Sequence, residues 1–184
     1  MAVDTPVCNF GWPAVEFELA DSAGRRFSLA DVRGANGTLI MFICNHCPYV
    51  RAVADRLAED AKELQRRGIG VIAIMSNDYR RYPEDAPDKM ITFSRQHGFS
   101  FPYVVDETQE VARVYGAVCT PDFFGFNASL QLQYRGRLDA SGMQFKLDAR
   151  RELLEAMIQI AETGEGPRAQ TASIGCSIKW ADEA

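Results

Sequence analysis

Polar and apolar positions alternate over Ala14-Val15-Glu16-Phe17-Glu18-Leu19, the two-residue period of a half-buried strand. Asp21-Ser22-Ala23-Gly24 supplies turn residues, and Arg26-Phe27-Ser28-Leu29 returns as its hairpin partner. Thr38-Leu39-Ile40-Met41-Phe42-Ile43 is an unbroken apolar run of strand length, the pattern of a strand covered on both faces. After Pro48 the period changes: Val50, Val53, Ala54, Leu57, Ala61 and Leu64 fall on one face of a helix that Gly68 is placed to end. Gly70 to Met75 is a second buried strand. Strand, helix and strand at this spacing make a βαβ unit, hence a parallel pair joined by a right-handed crossover.

The polar, proline-bearing stretch from Asn77 to Pro87 is expected to be a loop, with Asp85 or Asp88 capping a helix that ends near Gly98. Tyr103-Val104-Val105 is a short strand and Thr108 to Tyr115 a short helix. Asp122 to Phe126 and Leu130 to Arg137 form a hairpin around Asn127-Ala128-Ser129, and Asp148 to Glu162 is the last helix. Residues 168–184 have no strong period and form a C-terminal tail. The order predicts an α/β fold with a mixed central sheet flanked by helices, an N-terminal β-hairpin extension and that tail.

The length of 184 residues suits one domain spanning 1–184 and lets roughly 70% of the unfolded chain's surface be buried, so the core needs neither metal nor disulfide. A net charge of -5 with interspersed signs gives no indication of nucleic acid or of a membrane as a partner. The first residues lack a basic start followed by an apolar stretch, so no signal peptide is expected and the location is expected to be cytoplasmic. Five cysteines do not fit a disulfide framework, which favours an even count and an oxidising compartment.

Cys44 and Cys47 stand in Phe42-Ile43-Cys44-Asn45-His46-Cys47-Pro48, between a buried strand and an amphipathic helix. A helix start offers unpaired N–H groups and about half a positive charge, which favour thiolate over thiol. Cys44 is the expected nucleophile, forming a mixed disulfide that Cys47 resolves. His46 can hold positive charge near the thiolate and shift the pair toward the oxidising end, while Pro48 suits the first helical turn. A CxxC is also half of a zinc site, but no second CxxC or HxxxH completes one. The strand–CxxC–helix placement reads as a thioredoxin-like redox motif.

A cis bond between Thr120 and Pro121 would lay the backbone beside the CxxC, where an extended substrate could pair with it. Cys119 is either a small buried apolar residue or a thiol close to Cys44. Cys176 is either a resolving or relay thiol on a mobile tail or an inert cysteine in a tail docked through Ile174, Ile178 and Trp180. Cys8 reads as structural or incidental. His97 suits a helix C-terminus, Tyr49 reads as packing, and Arg80-Arg81 as a solvated loop.

The string from Phe42 to Val50 resembles the bacterial peroxiredoxin-like branch of the thioredoxin superfamily, the AhpC/TSA-type redoxins. Ser76-Asn77-Asp78, Tyr82-Pro83-Glu84-Asp85, Asp106 to Glu110, Cys119 to Phe124, Tyr134 to Asp139 and Gly175 to Trp180 match as well, so the likeness spans nearly the whole chain. The resemblance implies a thioredoxin fold, nucleophilic Cys44, resolving Cys47 and a cis Thr120–Pro121 bond. Peroxiredoxins place Thr or Ser three residues before the peroxidatic cysteine and Pro seven before; here those positions are Met41 and Gly37. Ile43 stands where cytochrome-maturation thioredoxins usually carry Trp.

The expected function is thiol–disulfide exchange with protein or small-molecule disulfides and a dithiol electron donor, without a cofactor. The alternatives are a thiol peroxidase, with Cys44 oxidised to a sulfenic acid and Cys47 or Cys176 resolving it, and a metal-binding protein using Cys44, Cys47 and His46.

Overall fold

The computed structural model describes residues 1–182. Its main sheet has seven strands: β2 (Glu18–Asp21), β3 (Arg26–Ser28), β4 (Gly37–Phe42), β5 (Ile69–Met75), β6 (Tyr103–Val105), β8 (Asp122–Phe126) and β9 (Leu132–Tyr134). They lie in the order β3-β2-β6-β5-β4-β8-β9. β4, β5 and β6 are parallel neighbours and the remaining pairings are antiparallel. A second, three-stranded antiparallel sheet joins β1 (Ala2–Asp4), β10 (Ile174–Ser177) and β7 (Cys119–Thr120) in the order β1-β10-β7.

Every residue of β4 is buried, as an apolar run at the sheet's centre requires. Leu39 and Met41 share one cluster with Val71, Ala73, Met75 and the inner faces of α2 (Pro48–Arg66), α3 (Pro87–His97) and α5 (Glu152–Thr163). Ile40 and Phe42 point the other way, to Ile72, Ile74, Phe124, Phe126, the N-terminal segment around Phe17, and α4 (Glu110–Tyr115). Burying one such Leu, Ile or Phe contributes about 1.5–3 kcal/mol. The helical stripe expected after Pro48 is the buried face of α2, from Val50 to Leu64. Among the described residues, no helix is long and apolar enough to cross a membrane.

Several elements differ from expectation. The N-terminal hairpin forms, but its first strand runs over Glu18–Asp21 instead of 14–19 and joins the central sheet through β6. Asp21 carries the turn: its carboxylate accepts N–H bonds from Ala23 and Arg25, each at 2.9 Å. A four-residue helix, α1 (Leu29–Val32), follows β3 behind a capping box between Ser28 and Asp31. The segment expected as loop contains a 3₁₀ turn at Pro83–Asp85, and α3 starts behind Ala86, so neither Asp85 nor Asp88 is its cap. Two strands, β1 and β10, lie where no period announced them. The tail expected over 168–184 is described as far as Asp182. It docks through Ile178, which is buried, and Trp180, under the guanidinium of Arg113, whereas Ile174 is largely exposed.

The strand leaving Pro121 is tied down by a buried ion pair. Asp122 accepts from Arg135 at 2.9 and 3.2 Å and from the Val118 N–H at 3.2 Å, while Arg135 also donates to Gly116 O and lies over the Phe124 ring. Asp122→Ala, which leaves that guanidinium uncompensated, is expected to cost about 3–5 kcal/mol in chemical denaturation. Arg80→Ala, at the exposed Glu107 pair, is expected to cost less than about 1 kcal/mol.

Candidate active site

Ile43 extends β4 by donating to Ile74 O at 3.1 Å, so the CxxC leaves the carboxyl end of the central strand. Cys47 is the N-cap of α2 and Pro48 occupies the first turn. The helix start therefore acts on Cys47 more directly than on Cys44, the reverse of the expected emphasis. Both cysteines have 0% exposure. The Thr120–Pro121 peptide is cis. Thr120 touches both sulfurs: Cys44 Sγ lies 3.3 Å from its hydroxyl, and Cys47 Sγ lies 3.2 Å from its carbonyl oxygen.

The two thiols share one proton unequally. Cys44 donates to Cys47, and this contact, with burial and the charge of Asp85 added, holds the Cys44 thiol well above its ordinary value against the Thr120 hydroxyl. At Cys47 the same contact lowers the pKa. Burial opposes it, but the Cys176 thiol, the Val50 N–H and the Cys176 N–H add their donation and bring Cys47 down to about 4. The Thr120 carbonyl, 3.2 Å from Cys47 Sγ, accepts from the protonated thiol.

Asp85, expected as a helix cap, lies beneath the motif with a fully buried side chain. Its Oδ1 accepts from the Asn45 N–H at 2.8 Å and the His46 N–H at 3.2 Å; its Oδ2 accepts from His46 Nδ1 at 2.6 Å and Asn77 Nδ2 at 2.9 Å. Burial alone would raise this carboxyl, but the bonds from His46 and Asn77, the charge of His46 and the Asn45 N–H leave it below the usual range. His46 is raised, first by its bond to Asp85, with burial opposing and the charges of Asp85, Cys47 and Glu84 adding. Its ring stacks on Tyr82 with an 8° interplanar angle. The positive charge expected beside the thiolate is therefore paired first with Asp85, and it also interacts with Cys47. Asn45 is held from both sides, donating to Glu84 O at 3.0 Å and accepting from the buried Tyr103 hydroxyl at 3.0 Å. None of Asp85, Asn77, Tyr82 or Tyr103 was singled out for chemistry by the sequence. Asp85, Asn77 and Tyr82 do lie in the short strings that carried the family resemblance.

The remaining cysteines separate. Cys176, on β10, is the register partner of Thr120 and presents its thiol and N–H to Cys47. Cys119 precedes Thr120 on β7, where successive side chains face opposite ways. Its buried thiol lies 3.7 Å from Pro121 O and is strongly raised by burial, the state of an inert cysteine. Cys8 is half-buried and pushed up to about 11 by burial. His97 ends α3 and pairs with Asp55 at 2.6 Å, and Tyr49 packs against the core cluster. Cys44, His46 and Asp85 present ligand atoms within 4.8 Å of one another, a different trio from Cys44, Cys47 and His46. Both Asp85 oxygens are already engaged in holding the loop.

The two cysteines thus lie between a buried strand and a helix start, beside a cis-proline loop, and residues 10–138 match the AhpC/TSA family. The chain belongs to the AhpC/TSA family. An uncharacterized conserved protein from Geobacillus kaustophilus superposes with a TM-score of 0.93 at 41% identity, over 100% of this chain and 98% of that one. A Mycobacterium tuberculosis protein named "Putative peroxiredoxin" is 27% identical over 62% of this chain and 68% of its own length. The thioredoxin domain of a thiol-disulfide oxidoreductase from Bacteroides vulgatus shares the fold, with a TM-score of 0.58 at 16% identity over 68% of this chain and 86% of that domain. The AhpC/TSA chain is thus a peroxiredoxin-like protein of the thioredoxin superfamily, with a thiol-based redox site.

In this AhpC/TSA site the reduced protein is expected to show one thiolate by absorbance near 240 nm, titrating near pH 4. Cys47→Ser is expected to abolish that signal, and Cys44→Ala to move its midpoint upward. The His46–Asp85 pair has its own pH signature. The raised His46 contributes stability in full below about pH 6.5, lost as pH rises through its folded value; the lowered Asp85 contributes above about pH 3.9, lost as pH falls through its folded value. The pair therefore stabilises most between those limits. Asp85→Asn is expected to flatten this profile in denaturation curves and to bring the His46 titration, followed by NMR, below its wild-type value.

Proposed function

We propose that the protein is a thiol–disulfide oxidoreductase whose Cys44/Cys47 dithiol closes reversibly to a disulfide. The observation that carries this reading is Thr120, which lies 3.3 Å from Cys44 Sγ through its hydroxyl and 3.2 Å from Cys47 Sγ through its carbonyl, and so brings both sulfurs to one point at the start of α2. The Cys47 thiolate attacks a partner disulfide and releases one partner thiolate. Cys44 then attacks Cys47 Sγ, closing the Cys44–Cys47 bond and releasing the second partner thiol, while its own proton passes to a departing thiolate. Two electrons move from the dithiol to the partner. This assignment exchanges the roles that the sequence suggested for the two cysteines, because the donors converge on Cys47. A stabilised thiolate stabilises the reduced form, and the pair is accordingly placed toward the oxidising end of such motifs.

The peroxidase alternative has one supporting contact, the Thr120 hydroxyl beside Cys44. Against it stands Met41 at the position where the peroxiredoxin pattern has a hydroxyl. Redox titration in glutathione buffers with disulfide mapping by mass spectrometry tests the proposal. The expected outcome is a Cys44–Cys47 disulfide with a midpoint more positive than the ~−270 mV of thioredoxin, and peroxide consumption no faster than that of a free thiol. Cysteines 44 and 47 remaining unpaired throughout the titration would sink this reading. Rapid peroxide turnover that vanishes in Cys44→Ser would replace it with the peroxidase one.

A further inference from the structure

The site described above poses a problem of access. Cys44 and Cys47 are sealed, whereas Cys176, directly beside them, is only partly buried. One wall of the site is the chain's own tail, with Cys176 packed against the cluster that contains both cysteines. β10 runs antiparallel along β7, with Cys176 opposite Thr120 and Ser177 opposite Cys119. Gly175 lies so close to this edge that a Cβ there would come 2.0 Å from Thr120 O. An extended peptide pairing with the cis-proline loop would need the backbone edge that β10 already holds.

The tail is also fixed in place. On its other side β10 pairs with β1. Lys179 N–H donates to Asn77 Oδ1 at 2.9 Å, and Lys179 O accepts from Asp78 N–H at 2.8 Å and Gln109 Nε2 at 2.8 Å. Ser173 Oγ donates to Pro121 O at 2.8 Å. A thiol held next to Cys47 by these bonds reacts as an intramolecular neighbour, at an effective concentration far above that of a free thiol.

We propose that Cys176 is a third redox thiol of this centre, exchanging with Cys47 to carry the disulfide from the buried pair to the surface, where an external dithiol meets it. The proposal rests on Cys44–Cys47 being a reversible disulfide. When that disulfide is closed, the Cys176 thiolate attacks Cys47 Sγ. The Cys47–Cys176 bond forms, the Cys44–Cys47 bond breaks, and Cys44 leaves as a thiolate that takes up the proton Cys176 lost. No electrons are gained or lost in this exchange. A thiolate of the external dithiol then attacks Cys176 Sγ and expels Cys47, a good leaving group because its donors stabilise the thiolate. The second external thiol resolves the mixed disulfide, leaving Cys176 reduced and the external molecule oxidised to its disulfide.

The local charges time the step. In the reduced site Cys176 is pushed up to about 11, first by burial, then by its donation to Cys47 and by the Cys47 charge, with Lys179 pulling the other way. Once Cys47 is in a disulfide, both Cys47 effects disappear while Lys179 remains. Cys176 becomes easier to ionise at the stage when it must attack.

The test uses the full-length protein. Cys44→Ser leaves Cys47 and Cys176 as the neighbouring thiols; after treatment with oxidised glutathione, non-reducing digestion and mass spectrometry are expected to show a Cys47–Cys176 peptide. Dithiothreitol serves as the external dithiol in a quenched-flow alkylation assay, where Cys176→Ser is expected to slow reduction of the Cys44–Cys47 disulfide at least ~10-fold. Gly175→Ala, which displaces β10 while keeping every thiol, is expected to lose the Cys47–Cys176 peptide in the Cys44→Ser background. Absence of that peptide in Cys44→Ser, or reduction of Cys176→Ser at or above the wild-type rate, would overturn the relay and leave the tail as a cover alone. Failure of Cys44 and Cys47 to pair in both wild type and Cys176→Ser would instead remove the dithiol reading on which it rests.

Discussion

A buried carboxylate and a buried thiol whose pKa is lowered lie under one short loop, and the arrangement of the site follows from the need to satisfy both. An ionised group taken out of water costs several kcal/mol unless hydrogen-bond donors replace the lost solvent. Asp85 obtains its donors from Asn45, His46 and Asn77. Cys47 obtains its donors from Cys44, Val50 and Cys176. The two residues between the cysteines thus have their N–H groups committed to Asp85, and this holds the CxxC in the turn that brings its sulfurs together. The motif is suspended from a carboxylate that lies nearly forty residues further along the chain.

The fold delivers these groups by converging several connections at the carboxyl ends of β4 and β5. β4 is covered on both faces and leads directly into Cys44. The segment after β5 supplies Asn77 and, through its 3₁₀ turn, Asp85. The connection before β8 supplies Thr120, fixed by the buried Asp122–Arg135 pair. β10 then closes the remaining side. An unpaired strand edge is a natural template for an added strand; in this protein the added strand belongs to the same chain and brings a cysteine with it.

Membership of the AhpC/TSA family places a redox thiol on this fold, but fold alone does not choose the reaction. Met41 lies in the core, where the peroxiredoxin pattern has a hydroxyl, and Thr120 brings a hydroxyl to Cys44 from another part of the chain. The five cysteines have become chemically distinct through position alone. Donors stabilise the thiolate of Cys47, whereas Cys119, buried near a carbonyl oxygen, is held as a thiol.

Local pattern determined the parallel β4–α2–β5 unit, because an unbroken apolar run and a 3.6-residue stripe each admit few solutions. It also located the CxxC at the strand–helix junction, since Pro48 and the change of period mark that boundary. Strand ends were less legible: the alternation at 14–19 gave way to Glu18–Asp21 once pairing with β6 set the register. β1 and β10 carry no readable period, because they are stabilised by pairing with each other from opposite ends of the chain, and β10 also by pairing with the distant β7. For the same reason Asp85 looked like a cap residue beside a proline and proved to be the anchor of the motif. The sequence by itself determined where the Cys44/Cys47 pair lies and which strand presents it. Only the tertiary structure decided that Asp85 anchors the motif, that His46 pairs with it and that Cys176 lies opposite Thr120 beside the pair, since each depends on groups contributed by segments remote in sequence.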